Sequence, residues 1–408
     1  MLVPSLHKIK GEKGLKRNGI LTGIIAVIIT AGLLLSGCSG SKDTGKTTAG
    51  KEPYKIGAVI DISGTSSSLG IPEKNTLQML ADKVNAAGGI NGHPLELTIL
   101  DNKSDETEAV LAVKKLIDQE KVLAVLGCSS SGPSMSMIDT VQKEKVPMIS
   151  LAASSKIVEP VGERQWVFKT AQSDIITINR LMGYLKEKGL TNVAFLYMNN
   201  AYGDGGRIAF TAAAQANGVK IVVEEKFEAT DKDMTPQLTR VKTSGAQATV
   251  VWAIPPSASI ITKNFKDLNM GIPLLHSHGV GNQNFIDLAQ GAADGVILPI
   301  GKLIVADQIP DSDPQKKVLN TYIDEYTKKY NSPPNSFGGY AWDGFYLLVN
   351  ALEKAGADRA AIRDVLEKTQ NYTGVSGVFN MSASDHNGLA EDSMVMVQIE
   401  NGKWKLIK

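Results

Sequence analysis

The stretch GCSSSGPS, residues 127–134, sets a thiol and three consecutive hydroxyls between the apolar run VLAVL and a segment of helical spacing. Such a place can hold a nucleophile, an anion-binding pocket or a helix cap. The nucleophile-elbow pattern Gly-x-Ser-x-Gly fails here, because Ser131 stands where the second glycine is needed, and no spacing ties it to a His and an acid. Cys128, a lone cysteine after a buried strand, reads as a small core residue. GTSSSLG (64–70) lacks the Lys-Ser/Thr of a phosphate loop. His276 and His278, two residues apart, would point the same way from a strand end, but no further ligand stands at metal-binding spacing. An anion pocket fits more naturally: helix-start amides and serine hydroxyls can hold a carboxylate without a full counter-charge. N-capping explains any single serine. It explains less well several hydroxyl loops at one sheet edge.

The elements around these loops alternate. KIGAVI, LELTILD, VLAVLG and VPMIS read as short buried strands. Between them PEKNTLQMLADKVNAAGG, ETEAVLAVKKLIDQE and PSMSMIDTVQKEK read as helices, the first beginning at Pro72 and the last with Pro133 in its first turn. A second series starts after FKTAQSD, with strands NVAFLYM, KIVVEEKF, ATVVWAI and IPLLHS and helices near 174–188, 204–217, 235–243 and 257–268. GVILPI, a helical tract over about 314–369 and a hairpin turning at Asn401-Gly402 complete the chain. The pattern implies an α/β fold of two Rossmann-like, doubly wound lobes with parallel sheets covered on both faces. Ligands collect beyond the carboxyl ends of such strands. That rule selects GTSSSLG, GCSSSG, SLAAS (150–154), MNNAYGDG (198–205), IPPSAS (254–259) and HSHGVGN (276–282).

Composition narrows the function classes. The chain has 408 residues, 43% of them apolar, and a formal charge of +1, which argues against a nucleic-acid partner. Lys8, Lys10, Lys13, Lys16 and Arg17 precede an uncharged core from Ile20 to Leu35, shorter than a bilayer span and suited to a secretory signal. LLSGC, ending at Cys38, resembles the bacterial lipobox. That implies removal of residues 1–37, lipid on Cys38 and a flexible tether over 38–52. Cys128 is then the single remaining cysteine, so no internal disulfide is expected.

Over residues 53–408 the chain resembles the periplasmic binding proteins of branched-chain amino acid (Leu/Ile/Val) uptake systems. KIGAVIDISG, NAAGGINGHPLELTILDNKSD, VLAVLGCSSSG, VPMISLAAS, WVFKTAQSD, NNAYGDGG, YAWDGFYLLVNALEKAG and GVFNMSASDHNG carry the resemblance by their order and spacing. It implies a type I periplasmic-binding fold with a three-segment hinge, residues 53–172 and 302–375 forming one lobe and 173–301 and 376–408 the other. It also implies delivery of a solute to an ABC permease, with no enzymatic step, no cofactor and no metal. Ser131, with Ser130 beside it, matches the serine that holds the ligand carboxylate. Ala152 and Ser154 match positions that bind the amino acid's main-chain atoms, and Tyr202 matches the tyrosine that closes over the ligand. Phe337 falls where the family has a pocket-flanking aromatic.

The departures bear on the solute. His278 stands where the family's amino acid binders place the acid that holds the α-ammonium, and near neutral pH a histidine can itself carry positive charge. Leu69 replaces a common aromatic. WAIPPS (252–257) replaces a Gly/Tyr-rich loop, with Trp252 as a possible stacking face. The expectation is a monomeric, lipid-anchored, extracytoplasmic solute-binding protein of an ABC importer, taking a polar or carboxylate-bearing solute of the amino acid, amide or aromatic acid class. The alternative is a ligand-sensing receptor component of the same fold, which the lipid anchor disfavours.

Overall fold

The computed structural model describes residues 51–407. The expected signal peptide, Cys38 and nearly all of the tether lie outside the described residues. The first sheet is wholly parallel, in the order β2-β1-β3-β4-β5. Its strands are β1 (Tyr54–Ile60), β2 (Leu95–Asp101), β3 (Ala124–Gly127), β4 (Met148–Ser150) and β5 (Val167–Lys169), connected through α1 (Ser67–Ala86), α2 (Glu106–Asp118) and α3 (Ser131–Glu144).

The second series runs α4 (Asp174–Glu187), β6 (Asn192–Met198), α5 (Ala201–Ala216), β7 (Lys220–Phe227), α6 (Thr235–Lys242), β8 (Ala248–Trp252), α7 (Ser257–Asp267), β9 (Leu274–His276), α8 (Gln283–Ala289) and β10 (Ile297–Gly301). After α9 (Lys316–Tyr330), α10 (Ser336–Ala355), α11 (Arg359–Glu367) and the short pair β11 (Tyr372–Thr373) and β12 (Val378–Phe379), the chain returns as β13 (Met394–Glu400) and β14 (Lys403–Leu406). These extend the second sheet antiparallel, giving β14-β13-β10-β9-β8-β6-β7. Strands β3, β8 and β10 are buried at every residue, as continuous apolar runs in covered parallel sheets must be.

Two elements differ from the sequence expectation. Helix α1 begins at Ser67, so Pro72 lies inside it rather than at its start. The early turn is fixed by close packing: a Cβ on Gly70 would fall 2.2 Å from the carbonyl oxygen of Asp61, the residue that follows β1. The tract over 314–369 is three helices, because Asn331 turns left-handed after α9 and Gly356 after α10. Asn335 and Asp358 then cap α10 and α11.

Three segments pass between the two sheets, after β5, after β10 and after β12, and the first two meet at the turn between β11 and β12. Gln172 donates to the Ser376 carbonyl at 2.6 Å, and its amide sits 3.1 Å from where a Cβ on Gly301 would stand. Asp343 of α10 accepts from the amides of Val375 and Ser376, both at 2.7 Å, with no exposed surface. Asp343→Asn turns an NH2 toward one of those amides and leaves a buried donor unmatched. The expected cost is about 1–3 kcal/mol, read as a lowered urea midpoint with the far-UV spectrum unchanged.

Candidate functional site

Why β3 ends in glycine is settled by its neighbour strand. Gly127 has φ +111°, and a Cβ there would lie 2.0 Å from the Val59 carbonyl oxygen. The chain then turns into the serines. Cys128 is fully buried with its Sγ 3.9 Å from Met137 Sδ, and burial pushes the thiol well up. It is a core group, not a nucleophile. Ser134 is likewise internal, bonded to Cys128 N and Ser150 Oγ.

A cavity of about 210 Å³ lies at the carboxyl ends of both sheets, lined from both sides. Ser130, Ser131 and Ala152 line it from the first lobe, as do Leu69 and Phe337. Tyr202 and His278 line it from the second. Seven of the nine residues expected to bind ligand are thereby brought together. Trp252 and Ser154 do not line the cavity. Trp252 is buried beneath Tyr202, ring centroids 5.6 Å apart, against a bare Gly206 where a Cβ would fall 2.4 Å from the indole. It supports the tyrosine rather than offering its own face. Ser154 is turned behind the wall. Its amide donates to Ser131 Oγ at 3.3 Å, while its hydroxyl sits beside Gly205 of α5.

Two of the helices that begin at the cavity, α1 and α3, lack a side-chain cap. Asp105, Ser173, Asn200, Asn282, Asn335 and Asp358 cap α2, α4, α5, α8, α10 and α11 with their side chains. Ser66 and Ser130 occupy the same position before α1 and α3 without making that bond. The Ser130 hydroxyl donates instead to Asp61 Oδ2. Simple capping therefore does not account for Ser130, and the first amides of α3, on the cavity-lining Ser131 and Gly132, keep their free donors and the positive end of the helix dipole. The Ser131 hydroxyl accepts from Ser154 N and retains its own proton to give.

His278 differs from expectation in its charge. Burial, helped by the charge of Lys169, holds its pKa down to about 3, so the imidazole is neutral. Its Nδ1 bonds Thr177 Oγ1 of α4 at 3.1 Å. His276 bonds Thr262 Oγ1 of α7 at 3.0 Å, so the two histidines serve different helices and do not form a pair. Among the described residues no cluster of His, Cys, Asp or Glu could hold a metal ion. Asp287, the next acid downstream, is exposed on α8 and bonded to Gln283. The Tyr202 hydroxyl donates to Ser277 Oγ at 2.9 Å, which fixes the ring over the cavity.

Sequence reading missed Tyr340, whose buried hydroxyl has no partner among the described residues and whose ring meets Phe337 edge-on at 5.8 Å. It also missed Ser129, Ser104 and Asn200. Ser129 and Asn200 stand inside loops the strand-end rule had selected, whereas Ser104 and Tyr340 carried no local signal. Glu106 is the one charged side chain in the lining, and it lies exposed at the rim. Leu69, Leu151, Ile254 and Phe337 make the remaining wall apolar.

The family profile described as periplasmic binding protein matches residues 53–403. The chain belongs to the periplasmic binding protein family. Among relatives of this binding protein is a leucine-, isoleucine-, valine-, threonine- and alanine-binding protein of Pseudomonas aeruginosa, 24% identical over 77% of this chain and 82% of its own length. An extracellular ligand-binding receptor from Rhodopseudomonas palustris is 28% identical with a TM-score of 0.82, over 88% of this chain and 100% of that chain. A branched-chain amino acid transporter substrate binding protein from Streptococcus pneumoniae, solved in complex with isoleucine, is 27% identical with a TM-score of 0.77 over the same shares. These fold neighbours confirm the type I architecture. These relatives and fold neighbours are solute-binding proteins, not enzymes.

The two lobes approach each other across a bare helix surface. A Cβ on Gly205 of the second lobe would stand 2.9 Å from Ser154 Oγ of the first and 2.7 Å from Asp174 Oδ2. Gly205→Ala is expected to hold the lobes apart, raising the radius of gyration in small-angle scattering. Its thermal midpoint should fall as well, because Asp174 Oδ2, the atom nearest the added methyl, is buried in the second lobe itself.

Proposed function

We propose that this chain is the extracytoplasmic solute-binding lipoprotein of an ABC importer, holding a small carboxylate-bearing solute between its lobes. The observation that carries the reading is the uncapped start of α3: two free amides and the Ser131 hydroxyl converge on a cavity with no basic side chain in its lining. Such donors favour an anionic oxygen without a counter-ion. The apolar lining of Leu69, Leu151, Ile254 and Phe337 takes an aliphatic or aromatic body. At about 210 Å³ the cavity is smaller than typical drug-sized sites of roughly 300–1,000 Å³. Branched-chain amino acids, bound by the relatives, fit this description, as do their des-amino acids. An α-ammonium meets the neutral imidazole of His278 rather than a carboxylate at that place. The lipid anchor rests on LLSGC and the importer role on the kinship with uptake proteins. Hinge closure about the three crossing segments would trap the solute without altering it.

A thermal-shift series on the purified chain separates the possibilities. L-leucine, L-isoleucine, isocaproate and benzoate present a carboxylate; isoamylamine and isobutyramide present only the other polar ends. A ligand at a hundred times its Kd stabilises by about 2.7 kcal/mol, a shift of several degrees. Carboxylates should stabilise the protein, and stabilisation by the amine or amide alone would refute the reading. Ser131→Ala should weaken the best carboxylate by about 1–3 kcal/mol, roughly five- to 150-fold in Kd by titration calorimetry, with the fold intact. Unchanged affinity would move the carboxylate elsewhere in the cavity.

A further inference from the structure

Two of the three consecutive serines 129–131 in the wall face the wrong way for an anion. Ser129 and Ser130 both line the cavity, yet the Ser129 hydroxyl donates to Glu73 Oε2 and the Ser130 hydroxyl to Asp61 Oδ2. A hydroxyl has one proton. With it turned inward, only lone pairs meet the solute, and they repel a carboxylate.

The carboxyls behind them are in an unusual place. Asp61 and Glu73 have no exposed surface, and Asp61 Oδ1 and Glu73 Oε1 have no partner among the described residues. Two buried carboxylates with half their acceptor atoms unmatched are costly as anions, and protonation is the relief available to them. The Asp61 amide also donates to Ser129 Oγ at 3.2 Å, so the two carboxyls and two serines form one network. Every titratable group that bears on it is an acid: Asp101 from β2 acts on Asp61, Cys128 beside β3 feels both carboxyls, and Tyr340 from α10 feels Glu73. Asn102 adds a neutral side-chain contact to Asp61.

We propose that the Asp61–Glu73 pair takes up a proton when a carboxylate enters the cavity, so that solute capture is coupled to protonation beneath the serine wall. This rests on the reading of the solute as carboxylate-bearing. A protonated Glu73 donates to Ser129, whose own proton then swings to the cavity, and Asp61 does the same for Ser130. The wall changes from acceptor to donor without a change in backbone. Glu73 and Asp61 are thus positioning residues, acting on the solute through the serines. Burial already lifts Asp61 to about 6 and Glu73 well above the usual carboxyl range, and a solute anion lifts both further. The sign follows from linkage. The complex binds more protons than the free protein, so affinity falls as pH rises above the free-protein values, by at most tenfold per pH unit for each proton linked.

The test is calorimetry of the full chain with L-leucine and with isocaproate, from pH 6 to 8, in buffers of different ionisation enthalpy. The expected result is net proton uptake on binding and a Kd that weakens about three- to tenfold per pH unit. Glu73→Gln fixes an amide N–H donor against Ser129, so its Kd at pH 8 should approach its own value at pH 6 and its proton uptake should fall. Asp61→Asn gives the same readout through Ser130 should the first variant not fold, and the buffer dependence of the unmodified protein needs no variant. A carboxylate probe that binds with no uptake and a flat pH profile overturns this inference and leaves the proposed function standing. If neither carboxylate binds at any pH, the reading of the solute falls and the inference with it.

Discussion

The site depends on a hydroxyl that does not cap its helix. Ser130 stands at the start of α3 with the residue type and extended backbone suited to capping, yet its proton goes to Asp61. That one diversion leaves peptide donors bare at the mouth of a cavity, where the helix dipole favours negative charge. Gly127 makes it possible by passing under the Val59 carbonyl, and the Asp61 backbone is itself the platform on which Gly70 seats the first turns of α1. Two helices therefore aim their amino ends at one space because both lean on the end of β1.

Much of this architecture was legible in the chain. The strand NVAFLYM was found at its limits because buried parallel strands demand unbroken apolar runs. The Asn401-Gly402 hairpin followed from two residues that accept positive φ. The loops lining the cavity followed from a rule about sheet ends, and no knowledge of side-chain direction was needed. Pro72 misled for a physical reason: proline is favoured at a helix start, but here close packing of Gly70 on β1 fixed the earlier turn.

Where the sequence fell short, three-dimensional burial decided the chemistry. His278 read as a switchable charge, and it became neutral because nothing around it repays desolvation. Trp252 read as a ligand face, but a glycine four residues along α5 from Tyr202 opened a slot that took the indole away from the cavity. Tyr340 lies on a helix whose sequence is apolar on nearly every side, so no periodicity marked the position that turns inward. The buried Asp61 and Glu73 were equally silent, since an acid's accessibility is not written in its neighbours along the chain.

The bonds among the crossing segments have a mechanical meaning. Gln172 fastened to Ser376, with Gly301 lying against the same amide and Asp343 gripping the β11–β12 turn, joins two crossings and that turn into a plate. A plate bends readily about one axis and resists torsion. Jaws closing about such a plate would be steered along a single arc and return the same faces to the same register.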